Sequence, residues 1–260
     1  MEYLSNLGKK MRFRRLIDPE SGAILAVPMD HGFTLGPVRG VADIRTTTDS
    51  VFSGGASCIV IHKGIVRRMV GIPPSKGLMI HISGSVSFSP NSNEKVLTGS
   101  VDEAVTLGAD AVSLHVNVGT TSDINMLDHL GVVTQSADLL GMPVLAMMYA
   151  RDDNGVDSKD VDSLSHVARI AEEGGADIAK VHSTEGGKDF DEVVQGINIP
   201  VIIAGGSKTD NFQDFLKMIE NCILAGASGV SIGRNIFQAE NVKEATTKVV
   251  DVVRKAMKEQ

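Results

Sequence analysis

The sequence is poor in the residues that build disulfide frames and aromatic binding surfaces. Its 260 residues include no tryptophan, two tyrosines and two cysteines. Two scattered thiols, Cys58 and Cys222, do not suit a disulfide frame or a zinc site. They are typical of small buried residues in a reducing, cytoplasmic compartment. The shortage of aromatic residues disfavours a surface on which nucleic-acid bases stack.

An excess of basic charge and long apolar runs are also missing. Lys and Arg together number 25 against 32 for Asp and Glu, a net charge of −7, which disfavours a nucleic-acid-binding surface. No apolar run approaches the ~20 residues of a membrane-spanning helix. The N-terminus lacks the apolar stretch and small residues of a signal peptide. We therefore expect neither a nucleic-acid nor a membrane partner.

The sequence does contain a repeated alternation of short apolar runs and helical segments. The apolar runs lack polar alternation, which is typical of strands buried on both faces of a parallel sheet. The tetrapeptides GGAS, LGAD, GGAD and AGAS precede four of the runs and predict left-handed glycine caps at helix ends. The runs cover residues 23–29, 58–63, 77–83, 109–116, 143–149, 176–182, 200–206 and 229–236.

Eight strand–helix units in one chain predict an α/β fold, a single-domain (β/α)8 TIM barrel over residues 1–260. A doubly wound open sheet is the alternative, and it is disfavoured because no early GxGxxG motif opens a helix. We expect residues 1–20 to form a helix that caps the bottom of the barrel. The polar segment 84–100 is predicted to be a long loop over the catalytic face, and the connection 64–76 is short and broken by two prolines.

Polar residues gather at the predicted C-terminal ends of the strands, where barrel enzymes carry their chemistry. Lys180 lies inside the apolar run ADIAKVH, and strand alternation predicts that it faces the barrel interior with Ile178 and His182. Two interpretations stay open for Lys180. It is either a desolvated amine that attacks carbonyl carbons, or a strand-end lysine whose ammonium group reaches water.

Tyr149 and Asp30 also end apolar runs, and each has two interpretations. Tyr149 is either a proton donor or a structural tyrosine with a hydrogen-bonded hydroxyl. Asp30 either moves a proton or caps the following turn. Lys63 ends another run, but the Gly-Ile-Val-Arg-Arg that follows it favours a solvated loop residue.

Glycines after the last two predicted strands indicate an anion site. Gly205 and Gly206 follow the seventh strand, and Gly233 and Arg234 follow the eighth. Loops at these positions of a barrel often bind phosphate through backbone amides, and an arginine adds a bidentate donor. We therefore predict a phosphate site here.

The histidines do not indicate a metal site. Their spacing does not match metal-binding patterns such as HxxxH, and we interpret most of them as hydrogen-bonded residues at strand ends. We expect no metal and no organic cofactor. The histidines concerned are His62, His81, His115, His166 and His182.

Motifs along nearly the whole chain resemble, in order, those of the archaeal-type class I aldolase family. This resemblance implies a Schiff base on Lys180, with Tyr149 as proton donor and Asp30 as proton acceptor, and a homo-oligomer. One departure is the run Val181-His182-Ser183-Thr184, where the family usually has a Thr/Ser–Tyr–Thr–Gly-like run. The matching motifs are PMDHGFTLGP (28–37), HKGIVR (62–67), SPN (89–91), GADAVSLHVNVG (108–119), GMPVLAMMYAR (141–151), GADIAK (175–180), VIIAGGSKT (201–209) and GVSIGRNIFQ (229–238).

The resemblance also implies the substrate contacts and two competing activities. One activity transfers a three-carbon unit from 6-deoxy-5-ketofructose 1-phosphate to L-aspartate 4-semialdehyde, on an alternative route to 3-dehydroquinate and aromatic amino acids. The other cleaves fructose 1,6-bisphosphate. The run DHGFTLGP is closer to the first, while a non-catalytic barrel that binds sugar phosphates stays a further alternative. The implied contacts are Asp30, His31, Gly32, Phe33, Thr34, Tyr149, Ala150, Arg151, Lys180, Gly205, Gly206, Gly233 and Arg234.

Overall fold

Eight parallel strands close into a barrel, which confirms the predicted (β/α)8 fold. The computed structural model describes residue 4 and residues 6–69 and 71–260. A separate antiparallel pair, β4 (Ser83–Gly84) and β5 (Val96–Leu97), lies outside the barrel. The order around the barrel is β1-β10-β9-β8-β7-β6-β3-β2. Its strands are β1 (Ile24–Pro28), β2 (Cys58–His62), β3 (Gly77–His81), β6 (Ala111–Val118), β7 (Val144–Ala150), β8 (Ile178–Val181), β9 (Val201–Ala204) and β10 (Gly229–Ser231).

Closure of the barrel depends on a glycine where the first and last strands meet. Gly229 pairs with Ile24 in the parallel register of β10 and β1. A Cβ atom on Gly229 would lie 2.2 Å from the Ile24 carbonyl oxygen, so any other side chain would push the two strands apart. The two ends of the sheet therefore join at a position that only glycine fits.

The helices surround the barrel, and their apolar faces follow the predicted pattern. In α7 the residues at three- and four-residue steps, Leu164, Val167, Ala168 and Ala171, are all buried. Among the described helices, none has the length and apolar character needed to cross a bilayer. The helices are α1 (Leu7–Phe13), α2 (Gly32–Leu35), α3 (Ile44–Ser53), α4 (Lys63–Val66), α5 (Val101–Thr106), α6 (Asp123–Leu139), α7 (Val161–Glu173), α8 (Phe190–Val194), α9 (Phe212–Leu224), α10 (Arg234–Phe237) and α11 (Val242–Glu259), with a 3-10 turn at Glu185–Gly187.

The four predicted glycine caps have the expected backbone conformation. Gly55, Gly108, Gly175 and Gly226 have φ angles between 78° and 111°. This left-handed region is one that side-chain-bearing residues rarely adopt. Each glycine therefore ends a helix and turns the chain towards the next strand.

Two connections depart from a regular strand–helix repeat. Between β2 and β3 the chain forms only the single turn α4, as expected from the broken segment 64–76, of which residue 70 lies outside the described residues. The segment 84–100 is more ordered than the predicted loop, because it contributes to the β4–β5 pair. It also contacts the catalytic face, where the Asn117 side chain donates to the Asn93 carbonyl at 2.6 Å.

The N-terminal segment lies across the N-terminal ends of the strands. The helix predicted within residues 1–20 is α1, while residues 1–3 and 5 lie outside the described residues. Phe13 and Leu16 are buried in the apolar cluster inside the barrel. Arg15 pairs with Asp110 at 2.9 Å, just before β6. This end of the barrel is therefore filled by side chains of the N-terminal segment.

We expect the substitution Asp18→Asn to destabilise the fold by about 1–3 kcal/mol. Asp18 is buried, and its carboxylate accepts two hydrogen bonds from Arg254 of α11, at 2.7 and 3.0 Å. Burial alone would raise the pKa of Asp18, but the hydrogen bonds from Arg254 and Ser21 outweigh it and lower the pKa. The contribution is therefore present above the ordinary carboxyl pKa and lost as the pH falls through the lowered value. Urea unfolding of wild type and Asp18→Asn at neutral and acidic pH should show a difference in the free energy of unfolding that becomes smaller in acid.

Candidate active site

Lys180 is buried inside the barrel, as strand alternation predicts. It lies on β8 between Ala179 and Val181, which face the outer layer, and its residue surface is 6% exposed. Its Nζ atom lies 3.8 Å from Met147 Sδ, and no carboxylate of the described residues lies within ion-pair distance. A buried amine without a fixed counter-ion is suited to attack a carbonyl carbon. Burial disfavours the alternative of a lysine that extends into water.

Asp30 supplies negative charge at the same end of the barrel. Burial opposes its ionisation, but in the acidic range where Asp30 titrates the protonated forms of His81 and His31, together with Lys180, outweigh burial and hold the pKa of Asp30 well below its ordinary value. Its Oδ1 atom is buried without a hydrogen-bond partner among the described residues. The carboxylate is therefore not a turn cap, and it is ionised at neutral pH and able to accept a proton.

His81 forms one wall of the site beside Asp30. Its Nε2 atom lies 3.8 Å from Asp30 Oδ2, and its Nδ1 atom hydrogen-bonds the hydroxyl of buried Ser113 at 2.9 Å. Burial lowers the pKa of His81 to about 4, so the ring is neutral at physiological pH. The predicted strand-end hydrogen bonds are present for His81, for His115 with Asn117, and for His182 with Asp157. His166 instead lies exposed on α7.

Tyr149 stands between two histidine rings on the opposite side of Lys180 from β9 and β10. Its ring centroid lies 4.7 Å from that of His115 and 4.6 Å from that of His182. The hydroxyl makes no hydrogen bond with any described residue, although Tyr149 is only 8% exposed. A phenol that is held at its ring and unbonded at its hydroxyl is available as a proton donor to a bound molecule.

The glycine loops after β9 and β10 form a cradle of unpaired donors, here called the anion cradle, from Gly205, Gly206, Gly233 and Arg234. Within the described chain no protein acceptor receives the backbone N–H groups of Gly206, Gly233 or Arg234. The Nε atom of Arg234 is buried and also lacks a hydrogen-bond partner there. Gly233 packs so tightly on β1 that a Cβ atom would lie 2.7 Å from the His31 ring. Several donors therefore converge where the sequence predicts phosphate.

The other predicted substrate contacts differ in their exposure and in which of their groups face the site. The Ala150 side chain packs against the outer hydrophobic layer, so only its backbone faces the site. Phe33 is 43% exposed, and its ring lies 4.8 Å from that of His62. Thr34 accepts a hydrogen bond from Ser87 through its carbonyl oxygen, which ties the α2 turn (containing Gly32) to the segment 84–100. Arg151 lies over the Tyr149 ring with its guanidinium carbon 5.7 Å from the centroid.

Sequence reasoning missed three polar residues of the site. Asp157 binds both Arg151 and His182, although it lies in a polar loop with no motif. Lys95 is buried in the segment 84–100, and burial with nearby Arg151 lowers its pKa to about 8. Asn235 is 3% exposed and joins the two loops of the anion cradle. Asn235 stands in the IGRN motif, which is the one signal that could have identified it.

A closed eight-stranded barrel with a buried lysine, a largely buried carboxylate and two donor-bearing glycine loops at the C-terminal ends of its strands has the arrangement of a barrel-enzyme site. Residues 24–239 match the family described as DeoC/LacD family aldolase. The chain belongs to this aldolase family, which confirms the resemblance drawn from its motifs.

Individual relatives extend over almost the whole chain. The chain is 38% identical to a 2-amino-3,7-dideoxy-D-threo-hept-6-ulosonate synthase from Halobacterium salinarum, covering 96% of this chain and 93% of the relative. It is also 38% identical to such a synthase, numbered 1, from Archaeoglobus fulgidus, covering 90% and 86%. A solved Schiff-base-forming fructose-1,6-bisphosphate aldolase superposes with a TM-score of 0.87 at 27% identity, covering 94% of this chain and 99% of that one. The two sequence relatives agree with the activity favoured by the motifs.

Proposed function

We propose that this chain is a Schiff-base transferase of the transaldolase type, a 2-amino-3,7-dideoxy-D-threo-hept-6-ulosonate synthase. The observation that carries the proposal is the buried, unpaired amine of Lys180 on the interior face of β8. The 38% identity to two synthases supports the choice of reaction. The substrates are 6-deoxy-5-ketofructose 1-phosphate as donor and L-aspartate 4-semialdehyde as acceptor.

In the first half-reaction Lys180 attacks the C5 ketone of the donor, and loss of water leaves an iminium. The iminium accepts the electron pair of the bond between C3 and C4, so that bond breaks as the C3 hydroxyl loses its proton. Phosphorylated hydroxypyruvaldehyde leaves, and a three-carbon enamine remains on Lys180. Asp30 is ionised at neutral pH, because the interaction with nearby cationic groups keeps its pKa low, and its carboxylate accepts the proton.

In the second half-reaction the enamine carbon attacks the aldehyde of L-aspartate 4-semialdehyde. The new bond restores the iminium, and Tyr149 gives a proton to the oxygen of the former aldehyde. Water then hydrolyses the iminium, which releases the product and regenerates the amine of Lys180. These steps leave Asp30 protonated and Tyr149 deprotonated, so a proton passes from Asp30 to Tyr149 through water in the opened site, and both groups return to their starting states. No metal or organic cofactor is required for a step of this proposal.

The anion cradle binds the phosphate of the donor in this proposal. Free amides at Gly206, Gly233 and Arg234 and the unpartnered Arg234 Nε supply the donors that a phosphate dianion requires. His31 lies beside the cradle, because a Cβ atom on Gly233 would be 2.7 Å from its ring. The phosphate would thus be held on the β9–β10 side of the reacting amine.

Fructose-bisphosphate aldolase activity is the second candidate, and the solved aldolase with a TM-score of 0.87 favours it. It uses the same amine and the same cradle, but it also needs a second phosphate site, which the sequence does not clearly show. Cleavage would not be followed by transfer, so the enzyme would be a lyase. A barrel that binds sugar phosphates without chemistry is the third candidate. The three differ in what they do to substrate, so one experiment separates them.

We expect the purified protein to consume L-aspartate 4-semialdehyde only when 6-deoxy-5-ketofructose 1-phosphate is present. Borohydride added with the ketose phosphate should leave a covalent adduct on the chain, because reduction fixes the iminium. Mass spectrometry of the intact protein and chromatography of the product measure the two outcomes. Cleavage of fructose 1,6-bisphosphate without use of the semialdehyde would overturn the synthase proposal. Absence of any adduct would favour the binding barrel.

We also propose that the enzyme is a cytoplasmic homo-oligomer. Both cysteines are buried free thiols, which is consistent with a reducing compartment.

The oligomer proposal is supported by exposed apolar side chains on α1 and at the end of α6, where Leu7 is 73% and Leu139 84% exposed. The Asn6 side chain donates to the Asp138 carbonyl and brings these two helix ends together. Light scattering after gel filtration would reveal a single subunit if the oligomer proposal is wrong.

A further inference from the structure

The two loops of the anion cradle are joined by one buried amide side chain. The Nδ2 group of Asn235 donates to the carbonyl oxygens of Gly205 at 2.9 Å and Ser207 at 3.0 Å. Its Oδ1 atom accepts from the Thr209 N–H at 2.8 Å. Asn235 is the second residue of the short helix α10, which follows β10, so these three bonds connect the β10 loop to the β9 loop.

The bonds to Asn235 also set the direction in which two backbone N–H groups of the β9 loop point. In a trans peptide the carbonyl oxygen and the N–H point in opposite directions. Because Asn235 holds the carbonyl of Gly205, the N–H of Gly206 in the same peptide unit points away from Asn235. The same holds for Ser207 and the N–H of Lys208. Neither N–H has an acceptor in the described part of the chain, and a Cβ atom on Gly206 would have open space around it.

Asparagine is the residue type that this position requires. The side chain must donate twice and accept once at the same time, and a planar amide of this length does both. Aspartate keeps the acceptor for Thr209, but it places a carboxylate against two carbonyl oxygens. Alanine leaves the two carbonyls and the Thr209 N–H without their buried partner, which costs more than the hydrogen bonds themselves contribute.

We infer that Asn235 is a positioning residue for phosphate, which holds the Gly206 and Lys208 amides and Arg234 in one cradle without touching the ligand. This inference rests on the proposed phosphate site, and it adds a determinant of affinity that lies behind the cradle. We expect a selective consequence, since Lys180 lies on β8 and Asp30 follows β1, whereas the side-chain bonds of Asn235 go to Gly205, Ser207 and Thr209 in the β9 loop.

The variant Asn235→Asp tests the inference, with Asn235→Ala as a second variant. We expect each to raise the KM for the ketose phosphate by on the order of 10- to 100-fold, with a much smaller change in kcat. The unphosphorylated 6-deoxy-5-ketofructose should react with wild type and variants equally well. A merely structural role would instead lower the amount of folded protein and reduce both rates in parallel.

Asn211→Asp is the matched control, because it makes the same chemical change at the other end of the β9 connection. Asn211 caps α9 by accepting from the Gln213 and Asp214 N–H groups, and aspartate can accept the same two bonds. The change also removes the Asn211 amide bond to the Asp214 carboxylate, so we expect a loss of stability at this helix end rather than a change in phosphate binding. We expect its KM for the ketose phosphate to stay at the wild-type value. An unchanged KM in both Asn235 variants would overturn the inference.

Calorimetry with inorganic phosphate separates this inference from the proposed reaction. We expect wild type to bind phosphate and Asn235→Asp to bind it at least about tenfold more weakly, whether or not the semialdehyde is a substrate. Weaker binding in the variant together with no transfer activity in wild type would refute the synthase proposal alone. Equal binding, or no phosphate binding by wild type, would refute the role of Asn235.

Discussion

Replacing Lys180 with methionine is expected to lower turnover on the order of 10⁴-fold or more, with the fold retained. Methionine has a similar length and an apolar end, so it fits beside Met147 in the interior that Lys180 now occupies. It has no amine, and no iminium can form. The steady-state rate of semialdehyde consumption measures the loss, and thermal unfolding checks the fold.

Borohydride trapping identifies the lysine that reacts. Lys180→Met should give no adduct with the ketose phosphate. Lys63→Met is the matched control, because Lys63 also follows a barrel strand but its Nζ lies 2.7 Å from Glu103 in an ion pair. We expect Lys63→Met to form the reduced adduct to the same extent as wild type. An adduct on Lys180→Met, or activity close to wild type, would contradict the central assignment.

Asp30→Asn is expected to lower kcat by about 10²–10⁴-fold, because the amide keeps the shape of the side chain but cannot accept a proton. Trapping of the donor on Lys180 should persist, since the amine is still present. Asp43→Asn serves as the control, because Asp43 only caps α3 through the Thr46 N–H and asparagine caps as well. Equal rates for Asp30→Asn and wild type would show that another group accepts the proton.

The pH dependence of the same reaction follows from the lowered pKa of Asp30. A base works in its ionised form, so the lowered pKa keeps Asp30 active as the pH falls through the ordinary carboxyl range. We therefore expect no acid limb from Asp30 in the profile of kcat under mildly acidic conditions. The prediction is wrong if the wild-type profile has an acid limb that Asp30→Asn removes. The pKa of the Asp30 carboxyl would then be higher than the nearby cationic groups imply.

Much of the site could be predicted because its residues stand at the ends of recognisable elements. The apolar run around Lys180 set its strand, and alternation set the side of the strand that it faces. The anion cradle was predictable for a similar reason, since glycines directly after two strands indicate close backbone approach. Burial, and the lack of a fixed partner among the described residues, favour the catalytic alternatives for Asp30 and Lys180, and both are properties of the assembled barrel.

The residues that were missed act through partners far away in the chain. Asp157 binds Arg151 and His182 from a loop with no motif, and Lys95 is buried only because its segment folds against the ends of β6 and β7. The role of Asn235 depends on carbonyl groups some thirty residues earlier in the chain. Patterns of neighbouring residues do not carry such information.

Sequence patterns alone were enough to predict the barrel, the strand that holds Lys180 and the glycine loops after β9 and β10. These features follow from hydrophobic periodicity and from the backbone freedom of glycine, which act over a few residues at a time. The tertiary structure alone decided which groups are ionised, which are unpaired and which loops are tied together. Those properties depend on distance and burial, because charges and hydrogen bonds act between groups that only folding brings into contact.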